Sequence, residues 1–223
     1  MPSTFTIDPD VLSCIRPMQH RDCEPVARLH EAAMGDSLWA RLGQRFLLEV
    51  YRGLIDSPYF LAFVYDDGQV RGFIAGTTDG SRMLSEVFRS RALVLAPAAA
   101  SGVVKRPGVL PMLLETARYF RVSGEPELEG AAESLFCSFE PDLRGKRISG
   151  HINKVLFDDF LARGFRRVKI TTEADNAGAI RQLTSWGFEE RGRFRFYGKD
   201  MARYALDLEA SGRVEPVSRH PAV

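Results

Sequence analysis

The chain is short of the residues from which covalent or metal-held frameworks are built. Its 223 residues include three cysteines, Cys14, Cys23 and Cys137, too few and too scattered for a disulfide framework, and no Cys-x-x-Cys pair occurs. His20, His30, His151 and His220 form neither His-x-x-x-His nor His-Glu-x-x-His, so no metal site is expected. Charge of one sign is also missing. Thirty Lys and Arg stand against 29 Asp and Glu, for a net charge of +1. Chains that live on nucleic-acid backbone or anionic lipid carry a basic surplus, so neither partner is expected. No basic start with an apolar run opens the chain, and no stretch approaches the roughly 20 apolar residues that span a bilayer, so the expected location is cytoplasmic. No internal repeat is visible.

Hydrophobic residues reach 45%, which excludes a disordered solvating chain and suits one elaborated domain. An extended run is expected over Val11–Met18, then a helix from about Asp22 to Ala33 with Val26, Leu29, His30 and Ala33 on one face. Asp36 or Ser37 caps a second helix that carries Leu38, Leu42, Phe46, Val50 and Leu54 inward. Tyr59–Tyr65 and Val70–Gly76 around Asp67-Gly68 make a hairpin. Residues 80–124 are least regular: helical stretches at Ser81–Leu95 and Pro111–Phe120 flank an Ala/Pro/Gly-rich middle. The next strand needs the hairpin as partner, so this segment reads as an insertion, of the kind that forms a lid, an acceptor-binding wall or a dimer contact.

Ser134–Phe139 then reads as a strand, Glu140-Pro141-Asp142 as its turn, and Leu143–Gly150 as a basic, glycine-containing loop. The loop runs into a helix with Ile148, Ile152, Val155, Leu156 and Phe160 inward, stopped at Gly164. Val168–Thr172 is a strand, Asn176–Trp186 a short helix, and two strands close the fold through Leu208. The polar tail, 209–223, is expected to be mobile. A strand, a basic loop and a helix N-terminus make an anion site. The first helical amides lack intrahelical partners, the dipole adds positive potential, and Arg144, Lys146 and Arg147 add charge. The loop is neither a P-loop nor the three-glycine dinucleotide fingerprint.

With these elements in this order, the sequence resembles the GCN5-related N-acetyltransferase superfamily. Phe139-Glu140-Pro141-Asp142-Leu143-Arg144-Gly145-Lys146-Arg147-Ile148-Ser149-Gly150 is similar to that family's acetyl-CoA loop, Gln/Arg-x-x-Gly-x-Gly/Ala. Asn176-Ala177-Gly178-Ala179-Ile180 through Trp186-Gly187-Phe188 is similar to its Asn-x-x-Ala helix ending in Gly-Phe. The likeness covers about residues 11–208 apart from the insertion, as a single N-acetyltransferase-like domain. It implies an α/β (α+β) fold with a mixed, mostly antiparallel sheet flanked by helices, and a helical insertion ahead of the cofactor-binding strand. It also implies acetyl-CoA as cofactor. Backbone groups of Cys137, Ser138 and Phe139 would pair with the pantetheine arm, the amides from Gly145 to Gly150 (Lys146, Arg147, Ile148 and Ser149 between them) would hold the pyrophosphate with Arg144, and Asn176 would face the thiol. Arg147 and Ser149 stand where the family has small residues, so the Arg147 side chain must point away from the phosphates or contact them itself.

The implied reaction is acetyl transfer to a primary amine of a small molecule, amino sugar or peptide by direct attack. An aliphatic ammonium has a pKa near 10 and needs a base. Glu133, at the start of the strand beside the cofactor, is the candidate, and Glu173 the second choice. Glu125, Glu127, Glu129, Glu133, Glu140 and Asp142 form an acidic stretch that would attract a cationic amine. The family's thiol-protonating Tyr falls on Leu183; Tyr197 and Tyr204 in the closing strands are the substitutes. A non-catalytic acyl-CoA-binding or assembly module is the alternative, and nucleic-acid binding, leaning on Arg191–Arg203, ranks last. A homodimer is compatible with the sequence.

Overall fold

A computed structural model describes residues 8–122, 130–143 and 145–211. Strands β1 (Ile15–Pro17), β2 (Phe60–Asp66), β3 (Val70–Thr77), β4 (Ala132–Phe139), β5 (Arg167–Glu173), β6 (Glu189–Phe196) and β7 (Lys199–Asp207) form one sheet in the order β1-β2-β3-β4-β5-β7-β6. Neighbours run antiparallel except β4 and β5, which are parallel. The helices are α1 (Pro9–Ser13), α2 (Cys23–Met34), α3 (Leu38–Arg41), α4 (Gln44–Leu54), α5 (Gly80–Ser90), α6 (Ala92–Lys105), α7 (Leu110–Val122), α8 (Ile148–Ala162) and α9 (Ala177–Trp186). The mixed, mostly antiparallel sheet flanked by helices is therefore as the sequence implied.

The period-two alternation of the strands divides the core in two. Leu61, Phe63, Tyr65 and Ile74 face α8 and α9, where Ile152, Leu156, Phe157 and Phe160 are buried. Ala62, Val64, Phe73 and Ala75 face α2 and α4 and meet Val26, Leu47, Val50 and Tyr51. Covering both faces is why β2 is an unbroken apolar run rather than an alternating one.

Four local expectations need correction. Val11–Met18 is not one extended run: Asp8 caps α1 through the Asp10 amide, Pro9 starts it, and only Ile15–Pro17 pair with β2. The helix expected over 38–54 is two, because Gly43 takes φ of 101°, which ends α3 and lets α4 start afresh. The helix expected over 81–95 breaks at Arg91, and the Ala/Pro/Gly-rich middle is helix α6 as far as Lys105. Gly102 is there for contact: a Cβ on it would lie 2.3 Å from the Leu42 carbonyl oxygen, so α6 packs its backbone on the α3–α4 turn. Ala33, expected inward, is exposed at the end of α2. The tail from 212 onward lies outside the described residues.

α2 also delivers a buried imidazole to the sheet. His30 has no accessible surface, its Nδ1 lies 2.7 Å from the Tyr51 hydroxyl, and its ring meets Phe136 of β4 at 4.7 Å. Burial lowers its pKa from 6.5 to about 4. The unfolded chain therefore takes up a proton first as pH falls, and the stability that neutral His30 allows above pH 6.5 is lost between there and about pH 4. Chemical denaturation should record a loss of about 2 kcal/mol between pH 6.5 and about pH 5 from this group, and His30→Gln should remove that component.

Candidate active site

The sheet opens at its centre. β4 pairs with β5 through Ala132–Ser134 alone, opposite Val168–Ile170, whereas its pairing with β3 continues to Phe139. From Leu135 onward the two parallel strands part. Leu135 is also the extra residue of a bulge, since Gly76 faces Ser134 and Ala75 faces Phe136. A bulge bends and twists its strand, which carries β4 away from its neighbour. The consequence is visible at Cys137, which is exposed although it stands in the middle strand of seven. The Asn153 amide of α8 lies 3.9 Å from its sulfur and donates to the Ser149 carbonyl at 2.7 Å, tying strand to helix start. Ser138 points to the other face and donates to the Leu29 carbonyl at 3.2 Å, and Phe139 covers Gly72 on the α8 side.

The open strand leads through a 3-10 turn, Pro141–Leu143, and an exposed Gly145-Lys146-Arg147 to the N-terminus of α8. Arg147 is the residue before the helix, in the left-handed region at φ 58°, and its side chain makes no capping bond. The amides of Ile148 and Ser149 precede the first intrahelical bonds, which run from Gly150 and His151 to the Arg147 carbonyl. They belong to the four amides that a helix leaves unsatisfied. Arg144 lies outside the described residues, as do Glu125, Glu127 and Glu129.

Two acids sit in this loop, and one distant base pairs with both. Arg71 of β3 donates through Nε to Glu140 at 2.8 Å and through Nη2 to Asp142, and Nη1 reaches Asp67 at 3.0 Å. These bonds hold the Asp142 carboxyl below its ordinary range. Nothing in the sequence marks Arg71 for this task, because its partners are 69 and 71 positions away.

The opposite face of β4–β5–β7 carries the acceptor-side candidates. Glu133 stands opposite Lys169, with Oε2 and Nζ 3.6 Å apart, and both side chains are partly exposed. Burial raises the Glu133 carboxyl above its ordinary value, and Lys169 opposes that rise. A Cβ on Gly80 would lie 3.8 Å from Glu133 Oε2, so the start of α5 walls the carboxylate. Glu173 lies farther along the same face, paired with Lys199. The structure thus does not bring Glu173 to Glu133. Arg203, also on this face, lies 4.9 Å over the Phe194 ring. The β6–β7 tip then bends to the insertion: the Tyr197 hydroxyl meets Thr116, and the Tyr197 amide donates to Glu115 at 2.8 Å.

The remaining candidates are structurally occupied. Asn176 caps α9, accepting from the Ala179 amide at 3.1 Å. Leu183 is buried. Tyr204 lies on the α8–α9 face and donates to Glu190 at 3.3 Å, and burial raises both tyrosine pKa values. Among the described residues no group of His, Cys, Asp and Glu could hold a metal. Because Arg71 holds the Asp142 carboxyl low, Arg71→Met should raise the Asp142 pKa toward its ordinary value, the change shrinking as salt rises. Carboxyl NMR titration at two salt concentrations reads this, and an unmoved Asp142 would contradict it.

No family model matches the chain. Over 62 residues it is 36% identical to a mycothiol acetyltransferase of Brachybacterium faecium, a match that spans 28% of this chain and 19% of that enzyme. Its fold is similar to an N-acetyltransferase from Staphylococcus aureus Mu50, with a TM-score of 0.60 at 17% identity over 86% of this chain and 99% of that one. It is likewise similar to a spermidine N-acetyltransferase from Vibrio cholerae, with a TM-score of 0.55 at 15% identity over 88% and 96%. The chain has the fold of the GCN5-related N-acetyltransferases.

Proposed function

We propose that this chain, with that fold, transfers an acetyl group from acetyl-CoA to a primary amine of a small molecule, an amino sugar or a peptide by direct attack. The observation that carries the reading is the parting of β4 and β5 beside the α8 N-terminus, with a raised carboxyl, Glu133, on the face across from it. The residues fit the cofactor: an open strand edge at Cys137, Ser138 and Phe139 suits a pantetheine amide chain, and the amides leading into α8 suit a pyrophosphate. Bound acetyl-CoA supplies the activated acyl group and a thiolate that leaves without a dedicated acid, having a pKa near 8.5 by analogy with cysteine.

The chain's own part is to hold and to deprotonate. The Ile148 and Ser149 amides and the exposed side chains of Lys146 and Arg147 bind the phosphates, whereas the Lys146 and Gly150 amides of the expected Gly145–Gly150 run already bond the Leu143 and Arg147 carbonyls; Asn176 keeps the start of α9 in place. Glu133 takes the proton of the incoming ammonium, directly or through water. Its raised pKa brings it nearer the working pH, where a base has the greatest driving force for its protonation state. The spermidine enzyme among the structural neighbours is in keeping with a cationic amine as acceptor.

Acetyl-CoA should bind in titration calorimetry, and free CoA should appear when an amine panel is added. Binding without CoA release across a broad panel would favour the non-catalytic module, for which buried Leu183 speaks. Glu133→Gln should lower kcat/KM by about 10²–10⁴-fold with acetyl-CoA affinity retained. The sign of the Lys169 contribution gives a second check: Lys169→Met removes the charge that lowers the Glu133 pKa, so the acid limb of the pH–rate profile should move to higher pH. An unmoved limb would remove Glu133 from the reaction.

A further inference from the structure

The insertion carries a surface that the acetyl-transfer reading does not use. Helix α6 has no charged residue from Ala92 to Val104. Leu95, Ala98 and Gly102 bury one face, the last against Leu42. At 100° per residue, Leu93, Pro97, Ala100 and Val104 fall together on the opposite face. All four are exposed, Leu93 at 93% and Val104 at 82%. A helix that is apolar all round is ordinarily enclosed, and this one is enclosed on one side only. Of the seven large apolar side chains exposed among the described residues, six lie between Phe88 and Leu114. Such clustering marks an interaction surface.

The charges around it select the partner. Residues 80–114 contain Arg82, Arg89, Arg91, Lys105 and Arg106 against Glu86 alone, a surplus of four in a chain whose total is +1. Arg91 is engaged with Glu49, but Arg89, Lys105 and Arg106, next to the ends of α6, are exposed. Two copies meeting through this face would bring like charges together, whereas an anionic surface would be attracted. At 14 residues α6 rises about 21 Å, short of the roughly 30 Å hydrocarbon core. It also meets α5 at 91°, and no single helix among the described residues is long and apolar enough to cross a membrane. With one face already packed on the α3–α4 turn, lying in the interface is the geometry that suits it. We propose that the outer face of α6, with Leu93 and Val104 as apolar anchors and Arg89, Lys105 and Arg106 as the basic rim, docks the protein on anionic lipid bilayers. The near-neutral total, which argued against lipid, conceals this local surplus.

Cosedimentation with vesicles of phosphatidylcholine containing about one-quarter phosphatidylglycerol, against phosphatidylcholine alone, tests the proposal. The full chain should partition at least about tenfold more strongly onto the anionic vesicles, less so at high salt. Leu93→Glu with Val104→Glu, and separately Lys105→Glu with Arg106→Glu, should each lose that preference while retaining the wild-type melting transition. No preference for anionic vesicles in the wild type overturns the proposal, as does binding retained by both double variants. Sedimentation velocity supplies the competing outcome: a concentration-dependent dimer abolished by Leu93→Glu would assign the face to a second copy instead. None of these readouts depends on acetyl transfer, so their failure and that of the proposed activity are separable.

Discussion

Three residue pairs hold β4 to β5, and where they stop the site begins. A parallel pair that separates leaves backbone donors and acceptors without a strand partner, which a folded core tolerates only where water or a ligand replaces it. The bulge at Leu135 produces the separation, and the start of α8 beside it offers further unsatisfied amides. The two deficits are close in sequence, at the end of β4 and the start of α8. Exposed Cys137 in a central strand and the Asn153 tie between β4 and α8 are consequences of that arrangement.

Charge follows the same division. On the loop side, Arg71 pairs with both Glu140 and Asp142 and offsets part of their charge beside Lys146 and Arg147. Across the sheet, Glu133 is raised by burial and checked by Lys169. The raised Glu133 carboxyl and the basic loop before α8 thus lie on opposite faces of β4. The insertion contributes twice, through Gly80 beside Glu133 and through Thr116 and Glu115, which fix the β6–β7 tip.

Much of this was legible in the sequence where the physics is local. The Asp-Gly hairpin, the inward stripe of α8 and the basic loop before it depend on neighbours a few residues apart. So did Ser37, which caps α3 through the Ala40 amide. The breaks at Gly43 and Arg91 were hidden because the apolar spacing continues across them, and a helix pattern does not record a φ of 101°. The α6 sequence reads as irregular because Pro97 and Gly102 outweigh alanine locally, while packing on Leu42 decides the outcome. Glu133 could be named from its strand, but its partner Lys169 could not: register between β4 and β5 is a tertiary fact. The same holds for Arg71, whose role exists only once β3 lies beside β4. Asn176 shows the reverse, since its capping bond is local and accounts for it without a ligand.

Under the proposed function, the open edge of β4 and the amides before α8 receive one extended anionic ligand. Hydrogen–deuterium exchange with and without CoA tests it most directly. Slower exchange confined to Cys137–Phe139 and Gly145–Gly150 is expected when CoA is added. CoA that binds while leaving both segments unchanged, or protects the β6–β7 edge instead, would contradict it.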